Sequence, residues 1–209
     1  MKKIYLFIMA LTAFVIFANA QTDPNAKKIL DEVSARVKTY KGISASFVLL
    51  SKNQAGKVNQ HTNGKILVKG NKYYIKQGAT EIFSDGNKTW NYNGNNEVTV
   101  TPVEDDDNTL TPQTLLTNFY DKDYTYKLVS STATYDQIQL APIDKRKNFK
   151  QVTVYVDKTK KLITRARILD KSNNTIDFTL SSINTSANLP DNTFVFNKNK
   201  YKKDIEVIE

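Results

Sequence analysis

The chain has 209 residues, no cysteine, and 30 Lys and Arg against 21 Asp and Glu, for a formal charge of +9. The missing cysteines exclude a disulfide scaffold, thiol chemistry and Cys-ligated zinc, so stability must come from burial in what the length suits best, one domain. A basic balance raises nucleic acid and anionic membrane surfaces as partners, but the lysines are scattered rather than gathered into a stripe, which argues for a solvated face.

The first element is a leader. Lys2 and Lys3 are followed by an apolar run from Ile4 to Ala18, and Ala18-Asn19-Ala20 places small residues at the −3 and −1 positions of a cleavage site. The run is shorter than the roughly 20 residues a membrane span needs. The expectation is a signal peptide over 1–20, cleavage near Ala20, and a single exported domain over 21–209 whose charge is +7 once the two leader lysines are gone. Without cysteine the chain cannot be lipidated on Cys, so the expectation is an exported protein that is dissolved rather than anchored, and export argues against nucleic acid as a partner.

A helix follows. Asp23 can cap it, Pro24 suits its first position, and Ala26, Ile29, Leu30, Val33, Val37 and Tyr40 form one apolar stripe, with Gly42 as terminator. A helix this short must rest its stripe on something apolar.

Strands dominate from there. Ile43 to Ser51, Gly64 to Lys69, Tyr73 to Gln77 and Ile82-Phe83 read as extended segments, with Asp85-Gly86 and Asn93-Gly94 as tight turns around Trp90 and Tyr92. Val98 and Val100 alternate with threonines, and Val152, Val154 and Val156 alternate with Thr153 and Tyr155. Leu162 to Leu169, Thr175 to Ser181 and Phe194 to Phe196 complete a meander of antiparallel strands with one buried face. An acidic loop at Glu104 to Asp107 and a second helix opening at Thr111-Pro112, with Leu115, Leu116 and Phe119 as its apolar side, interrupt the meander as a lid or as an ordinary packing helix.

The chemistry-bearing residues are sparse. His61 is the only histidine and lies among polar residues, which reads as an exposed loop position. There is no Gly-x-Ser-x-Gly elbow and no phosphate loop. Asp105 to Asp107 lack the ligand spacing of a calcium loop. The reading is a protein that is not an enzyme, with no cofactor and no metal. Its remaining signal is apolar. The sheet and its helices either close into a solid core or leave a cavity for a greasy ligand, and composition leaves both open.

The order of motifs resembles the LolA family of periplasmic lipoprotein carriers across the exported chain. It comprises the N-terminal helix, Ser44 to Phe47, the Gly64 to Lys69 strand, and the Asp85-Gly86 hairpin leading to Trp90 and Tyr92. Thr111 to Leu116, Leu140-Ala141-Pro142, Val154 to Asp157 and the ending from Phe194 to Ile208 follow in order. The resemblance implies a mainly β fold with helices (α+β), an incomplete antiparallel β-barrel whose concave apolar face is covered by helices and holds acyl chains. It implies a periplasmic monomer that carries acylated lipoproteins or lipid from an inner-membrane release complex to an outer-membrane acceptor, touching membrane surfaces only transiently. With alternation, it nominates Phe47, Ile66, Val68, Trp90, Tyr92, Val98, Leu115, Leu116, Phe119, Val152 and Val154 as cavity and lid residues, each of which could equally fill core.

Two departures stand out. In many carriers Arg-Pro follows the Gly64-type strand, and that arginine latches the lid. Here Gly70-Asn71 occupies the place, leaving Lys69 or Lys72 as point-charge substitutes. The ending is lysine-rich (Lys198, Lys200, Lys202, Lys203), which suits an anionic membrane, a partner, or plain solvation. A binding module on the same fold, either a sensor of lipid-modified protein or a carrier of another apolar ligand without lipoprotein transfer, is the second functional reading. A lipid-modifying enzyme is the third, and it would need a polar cluster at a pocket mouth.

Overall fold

The computed structural model describes residues 23–103, 120, 123–201 and 204–209. One helix, α1 (Pro24–Lys38), precedes eleven strands: β1 (Ile43–Lys52), β2 (Val58–Lys69), β3 (Lys72–Gln77), β4 (Thr80–Ser84), β5 (Lys88–Tyr92), β6 (Glu97–Pro102), β7 (Tyr124–Ser131), β8 (Tyr135–Pro142), β9 (Phe149–Asp157), β10 (Leu162–Asp170) and β11 (Thr175–Asn184). Two 3-10 turns, Asp191–Phe194 and Lys198–Lys200, then lead to β12 (Glu206–Ile208). All twelve strands join one sheet in the order β12-β6-β5-β4-β3-β2-β1-β11-β10-β9-β8-β7. Its two ends, β12 and β7, do not pair, so the sheet is open. β12 runs parallel to β6, and every other pairing is antiparallel.

The expected incomplete barrel is therefore an open, mostly antiparallel sheet, and its expected cover of helices is one α-helix among the described residues. α1 starts where its sequence says. The Asp23 Oδ1 accepts from the Asn25 and Ala26 amides at 2.9 and 3.4 Å, and Pro24 occupies the first turn. The Asp23 Oδ2 also accepts from the Leu128 amide at 3.0 Å, so one carboxylate both caps the helix and fastens it to β7. The helix ends at Lys38, before Gly42, because the Thr39 amide already closes onto the Arg36 and Val37 carbonyls. Gly42 instead bridges to Ser186, and its missing side chain leaves room for the Ala187 carbonyl.

Two of the expected local features change type. Phe194 closes a 3-10 turn rather than starting a strand, because Pro190 and the Thr193 amide, bonded to the Pro190 carbonyl, tighten the chain there. His61 is exposed, as expected, but sits within β2 opposite Leu50, since β2 begins six residues earlier than its apolar part. The expected acidic loop and second helix, with Leu115, Leu116 and Phe119, lie outside the described residues. β7, β8 and β12 are not among the strands expected from alternation, although Leu140-Ala141-Pro142 and Glu206 to Ile208 belong to the motifs that carry the family resemblance. β8 alternates buried and half-buried residues from end to end, but glutamines and an aspartate in YDQIQLAP dilute its apolar pattern.

The register sorts the side chains onto two faces. Across the sheet, Ile82, Ile75, Ile66, Ala45 and their partners share one face. Phe83, Tyr74, Leu67 and Ser44 share the other. α1 lies on the first face, packing against β7 and β10 through Ala26, Leu30 and Val33, all buried in the main core. From β1 and β11 through β8, the far face is polar. The Arg165 guanidinium lies 4.3 Å from the Tyr155 ring and 5.2 Å from the Tyr135 ring, and Arg167 Nε donates to Asp177 at 2.5 Å. At β5 and β6 the polarity of the faces exchanges. Thr89, Asn91, Thr99 and Thr101 continue the helix-side face, while Trp90, Tyr92, Val98 and Val100 are on the far one.

Candidate functional site

The helix-side face is the surface on which the candidate site is built. Alternation places Ile43, Ala45 and Phe47 of β1 beside Ile66 and Val68 of β2, with Ile75 next across. On the other side of β1, Phe178 and Leu180 of β11 lead to Ala166 and Ile168 of β10, then to Val152 and Val154 of β9, then Ile138 and Leu140 of β8, and Tyr126 of β7. All belong to one cluster of buried residues with the inner side of α1. Phe47 and Phe178 face each other at 5.9 Å between ring centroids. Tyr120 enters the same cluster, and its hydroxyl donates to the Leu30 carbonyl at 2.7 Å. Around this centre Leu49, Tyr73, Ile82, Leu128 and Ile176 are only half-buried and form an apolar margin.

Five of the nominated residues, Phe47, Ile66, Val68, Val152 and Val154, come together on this face and are buried. Trp90, Tyr92 and Val98 do not join them. They lie on the far face in a second, smaller cluster with Val100 and Ile205, and Phe196 and Tyr201 of the C-terminal segment pack over them. The reason is register: Trp90 pairs with Phe83, which pairs with Tyr74, which pairs with Leu67, all on the side away from α1. Strand spacing gives each residue's alternation within its own strand, but only the pairing says which face two strands share. Leu115, Leu116 and Phe119 lie outside the described residues. Tyr124, Tyr126, Ile138 and Leu140 join the face without having been nominated. The spacing of Tyr124, Tyr126 and Leu128 was the available signal.

The far-face cluster is held by charge as well as by rings. The Glu81 carboxylate, nearly buried, accepts from the Tyr74 hydroxyl at 3.1 Å, the Tyr201 hydroxyl at 3.0 Å and the Lys76 ammonium at 2.6 Å. Burial, reinforced by the adjacent Glu81 charge, pushes both phenols well above the ordinary tyrosine value. Lys69 and Lys72, offered from sequence as substitutes for a lid latch, both grip Asp191 at 2.8 and 3.1 Å, and Lys69 also donates to the Leu189 carbonyl at 2.9 Å. Gly70, at φ +60, makes the turn that sets the two lysines side by side. These lysines therefore fasten the C-terminal segment to the face away from α1.

Those ammonium groups hold the Asp191 carboxyl below the usual carboxylate range, and the Leu128 amide foremost does the same for Asp23. The folded state thus releases these protons at lower pH than the unfolded chain. The contribution is complete above the unfolded value of about 4 and is lost as pH falls through the folded-state values. Urea midpoints should stay level from about pH 7 to 5 and fall below about pH 4. Asp191→Asn should lower the neutral-pH midpoint and flatten that acid limb.

The arrangement suits burial of apolar matter. Among the described residues no group of three or more His, Asp or Glu side chains is placed to hold a metal ion. An open depression of about 450 Å³ lies on the exposed side of α1, lined by Pro24, Lys27, Lys28, Asp31, Glu32 and Ala35. Its charged rim and its position away from the sheet separate it from the apolar face.

Among solved structures, an uncharacterised conserved protein from Thermus thermophilus is similar at TM-score 0.58 and 14% identity, covering 88% of this chain and 98% of that one. The MucA/MucB complex of Pseudomonas aeruginosa includes a chain similar at TM-score 0.52 and 15% identity, covering 83% of this chain and 61% of that one. A LolA superfamily protein from Nitrosomonas europaea aligns at TM-score 0.48 and 15% identity, over 82% of this chain and 97% of that one. At 14% and 15% identity, the likenesses at TM-scores 0.58 and 0.52 concern the fold alone. No curated protein sequence matches the chain. The family model described as "Outer membrane lipoprotein carrier protein LolA" matches residues 38–197, from the end of α1 to the C-terminal 3-10 turns. Spanning most of the sequence and almost the whole sheet, that match establishes that the chain belongs to the LolA family.

Proposed function

We propose that the protein is an exported carrier that holds the acyl chains of lipoproteins, or of another acylated lipid, against the helix-side face of its sheet and moves them between membranes without catalysis. The observation that supports this reading is the family match combined with the one-sided apolar layer running from Ile75 through Phe47 and Phe178 to Val154 and Tyr126, buried at its centre and half-buried at its margin. Each methylene hidden from water contributes about 0.8 kcal/mol, so an insoluble anchor needs a surface of this extent. The half-buried margin at Leu49, Tyr73, Ile82 and Ile176 offers a way onto that face. In this reading residues 1–20 are a cleaved signal peptide, the protein works in the periplasm as a monomer, and inner-membrane release and outer-membrane acceptor complexes are its partners.

A second reading rests on one observation. The fold is shared with a chain of the MucA/MucB complex, in which two different proteins are bound to each other. A LolA-like domain that binds a protein partner and transfers nothing is the corresponding alternative here.

The test is release of lipoproteins. The protein, added to spheroplasts, should bring lipoproteins into the soluble fraction as a one-to-one complex. A folded protein that releases none, yet binds a soluble partner, would shift the assignment to the second reading. Recovery of the complex would also show that Gly70 in place of the family's arginine leaves carriage intact.

A further inference from the structure

We infer that the outer edge of β2 from Val58 to Asn63 is a docking edge for an extended, carboxylate-bearing peptide. Resting on the carrier reading above, we assign its occupant as the stretch of polypeptide adjoining the acyl anchor of a bound lipoprotein.

β2 pairs with β1 over its whole length, from Val68 opposite Ile43 to Val58 opposite Lys52. On its other side β3 pairs only with Lys65 to Lys69, because β3 ends at Gln77 and turns through Gly78 into β4. Residues 58–63 therefore have no strand on their outer side among the described residues. Five of the six are exposed and Thr62 is half-buried. Six extended residues offer an edge about 20 Å long. Alternate residues of such a strand turn both N–H and C=O outward, leaving three residues' worth of ladder bonds unmade.

Sheets usually guard such an edge with charge, proline or a covering element. The segment Val-Asn-Gln-His-Thr-Asn contains no Lys, Arg, Asp or Glu and no proline. Its lysines stand at the two ends instead, Lys57 and Lys65, both exposed. That placement decides between occupants. If a second copy paired antiparallel with this edge, Lys57 of each copy would fall opposite or diagonal to Lys65 of the other, and like charges there are unfavourable. A strand with carboxylates at its ends is attracted by the same lysines.

The edge also adjoins the apolar face. Thr62 pairs with Leu49, and Leu49 with Phe178, on the helix side of the sheet. A chain whose acyl end lay on that face and left it across the half-buried Leu49 would reach the β2 edge directly. Ladder bonds to backbone would accept many sequences, as a carrier of diverse cargo needs.

Three probes test this: a dansylated fatty acid, an N-palmitoylated decapeptide with glutamate at alternate positions, and its lysine counterpart. The acidic lipopeptide should bind about tenfold tighter than the basic one. It should slow hydrogen exchange at alternate amides within residues 58–63. N-methylation of alternate peptide residues should abolish that protection in one phase and spare it in the other. Lys57→Glu with Lys65→Glu should reverse the charge preference, while fatty-acid binding by the same variant reports on the apolar face separately. Lipopeptide binding with no protection of residues 58–63, or with indifference to N-methylation in both phases, overturns the docking edge and leaves the carrier reading standing. Failure of both fatty acid and lipopeptide to bind overturns both.

Discussion

Replacing Phe47 by alanine should lower the unfolding free energy by about 3–5 kcal/mol, the range for emptying a buried aromatic site. Phe47 is 2% exposed in the middle of the longest paired region of the sheet, with Phe178 on one side and Gly64 on the other. The ring lies over Gly64. A Cβ there would approach the Phe47 Cζ to 2.6 Å and would also collide with the Lys76 carbonyl. The glycine is thus the slot that admits the ring, and the β1 backbone that carries Phe47 is fixed by pairing on both sides. A void at Phe47 therefore cannot collapse, which places the expected loss at the upper end of the range. Urea unfolding followed by far-ultraviolet circular dichroism measures it. Phe47→Leu, which keeps most of the volume, should cost less than about 1.5 kcal/mol. That milder variant also separates two roles. If Phe47 touches cargo, fatty-acid affinity shifts in a protein of nearly normal stability. If it only fills core, affinity stays constant.

Glu81→Ala should cost about 1–3 kcal/mol and release the C-terminal segment before the rest of the sheet unfolds. The carboxylate is the common acceptor for Tyr74, Tyr201 and Lys76, and its loss leaves two part-buried phenols without their acceptor. Tyr201 also stacks on Phe196 at 5.0 Å and contacts Tyr92 at 4.6 Å, so loosening it opens the far-face cluster around Val98 and Ile205. Limited trypsin digestion should cut at Lys198 and Lys200 faster than in the parent, and Trp90 fluorescence should change before the circular dichroism does. Glu81→Gln, which keeps an acceptor oxygen, should fall between. Equal digestion rates in Glu81→Ala and the parent would show that the aromatic packing and the Lys69, Lys72 and Asp191 clamp hold the segment unaided.

Much of the local structure was legible in the chain. Asp23 and Pro24 set the start of α1, because a cap and a first-turn proline act within about four residues. The extended run Ile43 to Ser51 and the alternation in Val152 to Val156 identified β1 and β9, because a strand half-buried on one side tends to alternate. The turns at Asp85-Gly86 and Asn93-Gly94 were equally local, with Gly86 and Gly94 at φ +93 and +84. β7 and β8 escaped because glutamine, serine and lysine fill their polar positions and apolar residues only some of the others. Lys69 and Lys72 could not have been assigned from sequence, since their partner Asp191 lies about 120 residues away.

The sequence by itself determined α1, most of the strands from β1 to β11, which residues alternate within them and, through the order of weak motifs, the family. Those properties depend on side-chain type and spacing over a few residues. The tertiary structure alone decided which inward faces meet. Trp90, Tyr92 and Val98 alternate just as Phe47 and Ile66 do, yet the register through β3 and β4 sets them on the opposite side of the sheet, beneath the C-terminal segment. Likewise, only pairing lengths reveal that β3 stops short and leaves the β2 edge open. Strand pairing is a long-range choice among many residue pairs of similar energy, and the sum that selects it is distributed over the whole sheet rather than written in any one segment.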